Sequence, residues 1–127
     1  MTVSTHVLDT VSGRPAPGVP VELARQQGRG WTTLARALTD GDGRVASFEP
    51  AETAGAAAPG APGRPDDGDD GHLGIGLYRL TFETAGHVAG ARFFPQVVIV
   101  FRIQDPDGHY HVPVQLSPFA FSAYRGS

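Results

Sequence analysis

The feature that most constrains this chain is its rhythm: short segments with apolar residues at every second position, cut by clusters of Gly, Pro and Asp. A strand turns successive side chains to opposite faces, so such alternation marks a half-buried strand and the clusters mark turns. Val19, Val21 and Leu23 alternate with Pro20, Glu22 and Ala24, and Tyr78, Leu80 and Phe82 alternate with Leu77, Arg79, Thr81 and Glu83. Residues 3–8, 31–39, 44–48, 93–103, 109–117 and 119–124 read as further strands. Asp40-Gly41-Asp42-Gly43 and Asp105-Pro106-Asp107-Gly108 are hairpin turns, residues 12–18 a loop, and residues 84–90 a short helical turn. About eight strands at regular spacing predict an all-β sandwich.

A length of 127 residues fits one domain, 1–127, so any site must lie on its single core or between copies of it. Residues 50–74 are rich in Ala, Pro, Gly and Asp, with almost no large apolar side chains. That stretch cannot bury enough surface to offset its ordering entropy, and it reads as a long flexible loop. Its run Asp66-Asp67-Gly68-Asp69-Asp70 lacks the ligand spacing and closing Glu of a calcium loop.

Composition excludes several functions. There is no cysteine, which removes a disulfide framework, a thiolate metal site and a cysteine nucleophile. A net charge of -3 speaks against nucleic-acid binding. No apolar run approaches the roughly 18 residues of a membrane span. The N-terminus has no basic start followed by an apolar stretch, so a cytoplasmic protein is expected.

The most apolar strand, 93–103, carries Val97, Ile99, Phe101 and Ile103 on one face and Val98 and Val100 on the other. Apolar residues on both faces call for cover on both. The second face either meets another subunit or lies under a loop of the same chain. In the strand His109–Ser117, Tyr110, Val112, Val114 and Leu116 point one way; His109, His111, Pro113 and Gln115 point the other. Both histidines therefore lie outside the core. His109, beside the turn, reads as an ordinary exposed residue; His111, further in, is open to either reading. His6 shares a strand face with Ser4 and Leu8. Taken alone, His6 would be a structural histidine, Arg44 a solvent-exposed charge and residues 124–127 a frayed end. A two-histidine metal site lacks a third ligand at matching spacing, so no metal is expected.

Three blocks of sequence resemble the 5-hydroxyisourate hydrolase family of transthyretin-like proteins. They are Ser4-Thr5-His6-Val7-Leu8-Asp9-Thr10 with Gly13-Arg14-Pro15-Ala16 and Gly18-Val19-Pro20-Val21; Thr39-Asp40-Gly41-Asp42-Gly43-Arg44; and His109-Tyr110-His111-Val112-Pro113 with Leu116-Ser117-Pro118 and Ser122-Ala123-Tyr124-Arg125-Gly126-Ser127. The Tyr-Arg-Gly-Ser segment is the most specific. The chain departs from the pattern in the length of its 50–74 loop and in Phe119-Ala120-Phe121, where many relatives have Tyr-Gly-Tyr.

The resemblance implies two four-stranded sheets packed face to face, a short helix after the fifth strand, and a homotetramer built as a dimer of dimers with sites between dimers. It implies hydrolysis of 5-hydroxyisourate to 2-oxo-4-hydroxy-4-carboxy-5-ureidoimidazoline in urate degradation, with no cofactor. His6 and His111 carry over as catalytic histidines and Arg44 as the anion-binding residue. His6, Arg44, Tyr124, Arg125 and Ser127 carry over as substrate-binding or pocket-shaping groups. Imidazoles suit proton transfer near neutral pH, and a guanidinium suits charge developing on oxygen. The rival reading is a non-enzymatic small-molecule carrier of the same fold. The resemblance weighs against it, because carriers lack the Tyr-Arg-Gly-Ser segment and the second histidine of His-Tyr-His.

Overall fold

The computed structural model describes residues 1–48, 74–86 and 93–127. The strands are β1 (Thr2–Asp9), β2 (Arg14–Pro15), β3 (Pro20–Gln27), β4 (Gly30–Leu38), β5 (Arg44–Val45), β6 (Gly76–Glu83), β7 (Gln96–Ile103), β8 (His109–Ser117) and β9 (Ala120–Ala123). One sheet runs β2-β1-β8-β9, with β5 also on β1; the other runs β4-β3-β6-β7.

The fold is the expected all-β sandwich, with one strand more than the pattern indicated. β2 lies in the stretch read as a loop, where two residues pair with Leu8 and Asp9 of β1. β5 pairs with Thr5 and His6. Because β8 occupies the whole other edge of β1, β2 and β5 must share one edge, and the sheet is four strands wide at any level. The strand expected over 44–48 pairs only at Arg44 and Val45. No helix occurs among the described residues; of the helical turn expected over 84–90, residues 87–90 lie outside them, as do residues 50–73 of the expected loop.

Alternation sorts the side chains as the pattern requires. Val3, Thr5 and Val7 of β1 and Tyr110, Val112, Val114 and Leu116 of β8 are buried, facing Leu23, Tyr78, Leu80 and Phe82 from the other sheet. Burying each large apolar side chain contributes about 1.5–3 kcal/mol. Thr5 keeps its hydroxyl satisfied in this interior by donating to the Val112 carbonyl at 2.7 Å. β7 is an edge strand rather than a central one, and Val98 and Val100 on its outer face are 44% and 52% exposed.

Two polar clips set the ends of the strands that carry the candidate site. Tyr110 Oη accepts the backbone N–H groups of Gln104 at 3.2 Å and Asp105 at 2.8 Å, fixing the turn that leads into β8. Thr39, buried just before the Asp40 turn, accepts the Val19 N–H at 2.8 Å and donates to the Ala16 carbonyl at 2.7 Å. Thr39→Val keeps the shape but leaves both backbone groups unpaired. It should lower stability by about 1–3 kcal/mol in denaturant unfolding; unchanged stability would show that the clip holds nothing.

Candidate active site

His6, Arg44, His111 and Ser127 gather on the outer face of the β2-β1-β8-β9 sheet. β1 and β8 run parallel, placing Ser4 beside His111 and His6 beside Pro113. On the other edge of β1, His6 pairs with Arg44 of β5. Strand period then turns Ser4, His6, His111 and His109 away from the core together. A cavity of about 230 Å³ opens there, lined by Ser4, Thr5, Arg44, Val45, Ala46, His109, His111 and Ser127.

Arg44 is placed by its turn. The Asp40 carboxylate accepts the backbone N–H of Arg44 at 3.0 Å and of Asp42 at 2.8 Å, and these bonds hold it below the usual carboxylate range. Gly43 has a φ of 74°, the left-handed region that favours glycine. A Cβ there would stand 2.6 Å from the Val7 carbonyl oxygen and 2.9 Å from Pro15 Cβ. The turn therefore closes tightly on β1, and no side chain fits at the residue before Arg44.

His111 is held on two sides. Its Nδ1 lies 2.8 Å from Ser4 Oγ. Its Cδ2 edge packs on Gly126, where a Cβ would come within 2.7 Å. Gly126 is fixed by donating its N–H to the His111 carbonyl at 2.8 Å, which brings Ser127 to the cavity. Burial lowers the pKa of His111 below the ordinary imidazole value, and the positive charge of Arg44 lowers it further, as His109 and His6 do in their protonated forms. A neutral imidazole facing a fixed cation can accept a proton near neutral pH, while the cation holds an anion or a developing oxyanion.

A family model described as the HIUase/Transthyretin family matches residues 3–126. The chain belongs to the HIUase/Transthyretin family. It is 38% identical to the 5-hydroxyisourate hydrolase of Salmonella typhimurium, covering 98% of this chain and 80% of that one. It is 39% identical to the 5-hydroxyisourate hydrolase of Deinococcus radiodurans, over 98% of this chain and 95% of the relative. Among solved structures, the 5-hydroxyisourate hydrolase of Klebsiella pneumoniae superposes with a TM-score of 0.72 at 35% identity, over 100% of both chains.

Against the residues that the family resemblance singles out, the structure brings Arg44, His111 and Ser127 to one cavity and sets His6 beside Arg44 in the ladder. Tyr124 and Arg125 do not line that cavity within the chain. They line a separate cleft of about 180 Å³ with Phe101, Tyr110 and Val112. Arg125 lies 4.5 Å over the Tyr110 ring, on the core-facing row of β8. The alternation that turns Gly126 toward His111 turns its neighbour Arg125 away.

Sequence reasoning missed Ser4, Thr5 and His109. His109 is exposed, as expected, yet it lines the cavity and bonds to Thr2 and Ser4. The signal available was that Ser4 shares the face of His6, two positions away; the parallel register that brings it to His111 is not written in either strand. The charge effect on His111 is measurable by NMR titration. Removing the cation with Arg44→Met should raise the His111 pKa, because a nearby positive charge penalises the imidazolium. Burial should still hold it below 6.5. No movement would remove Arg44 as a cause.

Proposed function

We propose that this chain hydrolyses 5-hydroxyisourate to 2-oxo-4-hydroxy-4-carboxy-5-ureidoimidazoline, a step of urate degradation. The observation that carries this reading is His111: an imidazole whose pKa burial lowers, sharing a cavity with Arg44. Hydrolysis of a cyclic amide needs a base for the attacking water, a cation for the oxygen that gains charge, and a proton for the departing ring nitrogen. His111 accepts the proton from water. Arg44 binds the anionic ring and the developing oxyanion. His6, on the same face beside Arg44, completes the imidazole pair that returns a proton to the leaving nitrogen. Ser127 positions the ring. Arg125 acts through its stacking on Tyr110, which keeps Gly126 and Ser127 against His111, and Tyr124 stays a substrate-positioning candidate from the neighbouring cleft. The names of the relatives support the same substrate.

The reading includes a single cytoplasmic domain over 1–127, working without cofactor or metal as a homotetramer, a dimer of dimers. Two features support association. Val98 and Val100 leave an apolar face open on β7. The cavity lies on an open sheet face, where a second copy would exclude water and strengthen the charge interactions within. The carrier reading gains nothing from a cavity lined by the imidazoles of His109 and His111 together with Arg44.

The test uses freshly generated 5-hydroxyisourate, followed by its ultraviolet absorbance against spontaneous decay. The wild-type protein should accelerate the decay. His6→Ala and His111→Ala should each lower turnover by about 10²–10⁴-fold, the usual contribution of a general acid or base, with the fold retained. Arg44→Lys, which keeps charge but loses the planar fork, should weaken binding or turnover. Wild-type rates in both histidine variants would defeat the assignment.

A further inference from the structure

A chain of hydrogen bonds leads away from His111 to residues that the hydrolytic mechanism does not use. Ser4 Oγ lies 2.8 Å from His111 Nδ1 and 3.2 Å from His109 Nε2. The other ring nitrogen of His109, Nδ1, bonds to Thr2 Oγ1. The four groups come from two adjacent parallel strands, with Thr2 opposite His109 and Ser4 opposite His111 in the register. Thr2, Ser4, His109 and His111 thus form one line across the outer face of the sheet.

We propose that Ser4 and His109 are positioning residues that hold His111 in the tautomer protonated on Nδ1, leaving its Nε2 lone pair for the cavity. The proposal rests on the hydrolase reading for its consequence in catalysis, and on proton counting for its structure. A serine hydroxyl has one hydrogen and here meets two ring nitrogens. If His111 Nδ1–H donates to Ser4 Oγ, the Ser4 hydroxyl donates to His109 Nε2, and His109 Nδ1–H donates to Thr2. Every member is then satisfied. The reverse order also satisfies the line, but it leaves Nε2–H on His111, which cannot accept a proton.

Arg44 decides between the two orders. Nδ1 of His111 is engaged by Ser4, so Nε2 is the ring nitrogen it has left, and His111 lines the cavity. Arg44 lines the same cavity, its charge acts on His111, and a guanidinium can only donate. It attracts a lone pair on Nε2 and repels an N–H there. In water a free imidazole prefers its proton on Nε2, so the productive form must be imposed by whatever bonds to Nδ1. Ser4 is that partner. His109 keeps the Ser4 hydroxyl from turning its own hydrogen toward His111, because it offers that hydrogen an acceptor.

Long-range proton–nitrogen NMR of the ring atoms tests this directly, with His111 assigned by the signals lost in His111→Asn. Wild-type His111 should carry its proton on Nδ1. Ser4→Ala and His109→Ala should each shift His111 toward the Nε2–H form and lower kcat about tenfold with KM unchanged, the scale of one hydrogen bond. Ser4→Thr and His109→Gln restore a hydroxyl and an acceptor, and should recover both the tautomer and most of the rate. The double variant Ser4→Ala/His109→Ala should fall no further than either single one, since both break the same line. A wild-type His111 protonated on Nε2, or an unchanged tautomer in Ser4→Ala, would overturn the proposal. If the wild-type protein fails to accelerate 5-hydroxyisourate decay, the hydrolase reading falls instead, and the NMR result still decides the tautomer.

Discussion

The parallel ladder between β1 and β8 is the constraint on which the site depends. It runs the full length of β1, from Thr2 opposite His109 to Asp9 opposite Leu116. Parallel pairing within one sheet requires a long crossover, and here the whole second sheet lies between the two strands in sequence. That arrangement brings Ser4 against His111 across a separation of 107 positions. A one-residue slip would turn every outward side chain inward, placing imidazoles in the core and Val112 and Val114 outside. The buried row Tyr110, Val112, Val114 and Leu116 therefore holds the register, and the register holds the chemistry.

Polar satisfaction does the local work that apolar packing cannot. Thr5, Thr39 and Tyr110 are buried with their hydroxyls bonded to backbone groups, and each fixes a segment next to a candidate residue. The Asp40 carboxylate gathers the amides of the turn that presents Arg44. Gly126 lies flat against the His111 ring because any side chain there would strike it. The catalytic candidates themselves contribute little to the core; they stand on a frame whose register and turns are set elsewhere.

Much of this was legible in the sequence, for reasons specific to particular segments. The faces of β8 follow from clean alternation over nine residues, and the structure keeps every core-facing side chain where the pattern puts it. The Asp-Gly-Asp-Gly turn was visible from composition. β2 was not, because two residues carry no period and Pro15 reads as a loop residue. The position of β7 at a sheet edge was also hidden: apolar residues on both faces resemble a central strand, and only the ladder shows that one edge is unpaired. His109 was read as a bystander because a histidine next to a turn has no pattern that distinguishes a hydrogen-bonded ring from a solvated one. Which strands become neighbours is a property of the whole chain, and no single segment records it.

The split edge of β1 couples two loops that sequence keeps apart. Between the short ladders of β2 and β5, the Val7 N–H bonds to the Gly43 carbonyl at 2.8 Å, and the Ala16 N–H bonds to the Val7 carbonyl at 2.9 Å. The loop holding Pro15 and Ala16 and the turn holding Arg44 are thus fastened to the same residue and packed on each other. The backbone of Arg44 thus sits on a fixed mount, and its ordering entropy is spent when the protein folds rather than when substrate arrives. Lifting this corner would break both fastenings at once. By the same token, a change at Pro15 or Ala16, residues with no chemistry of their own, would be felt at the guanidinium.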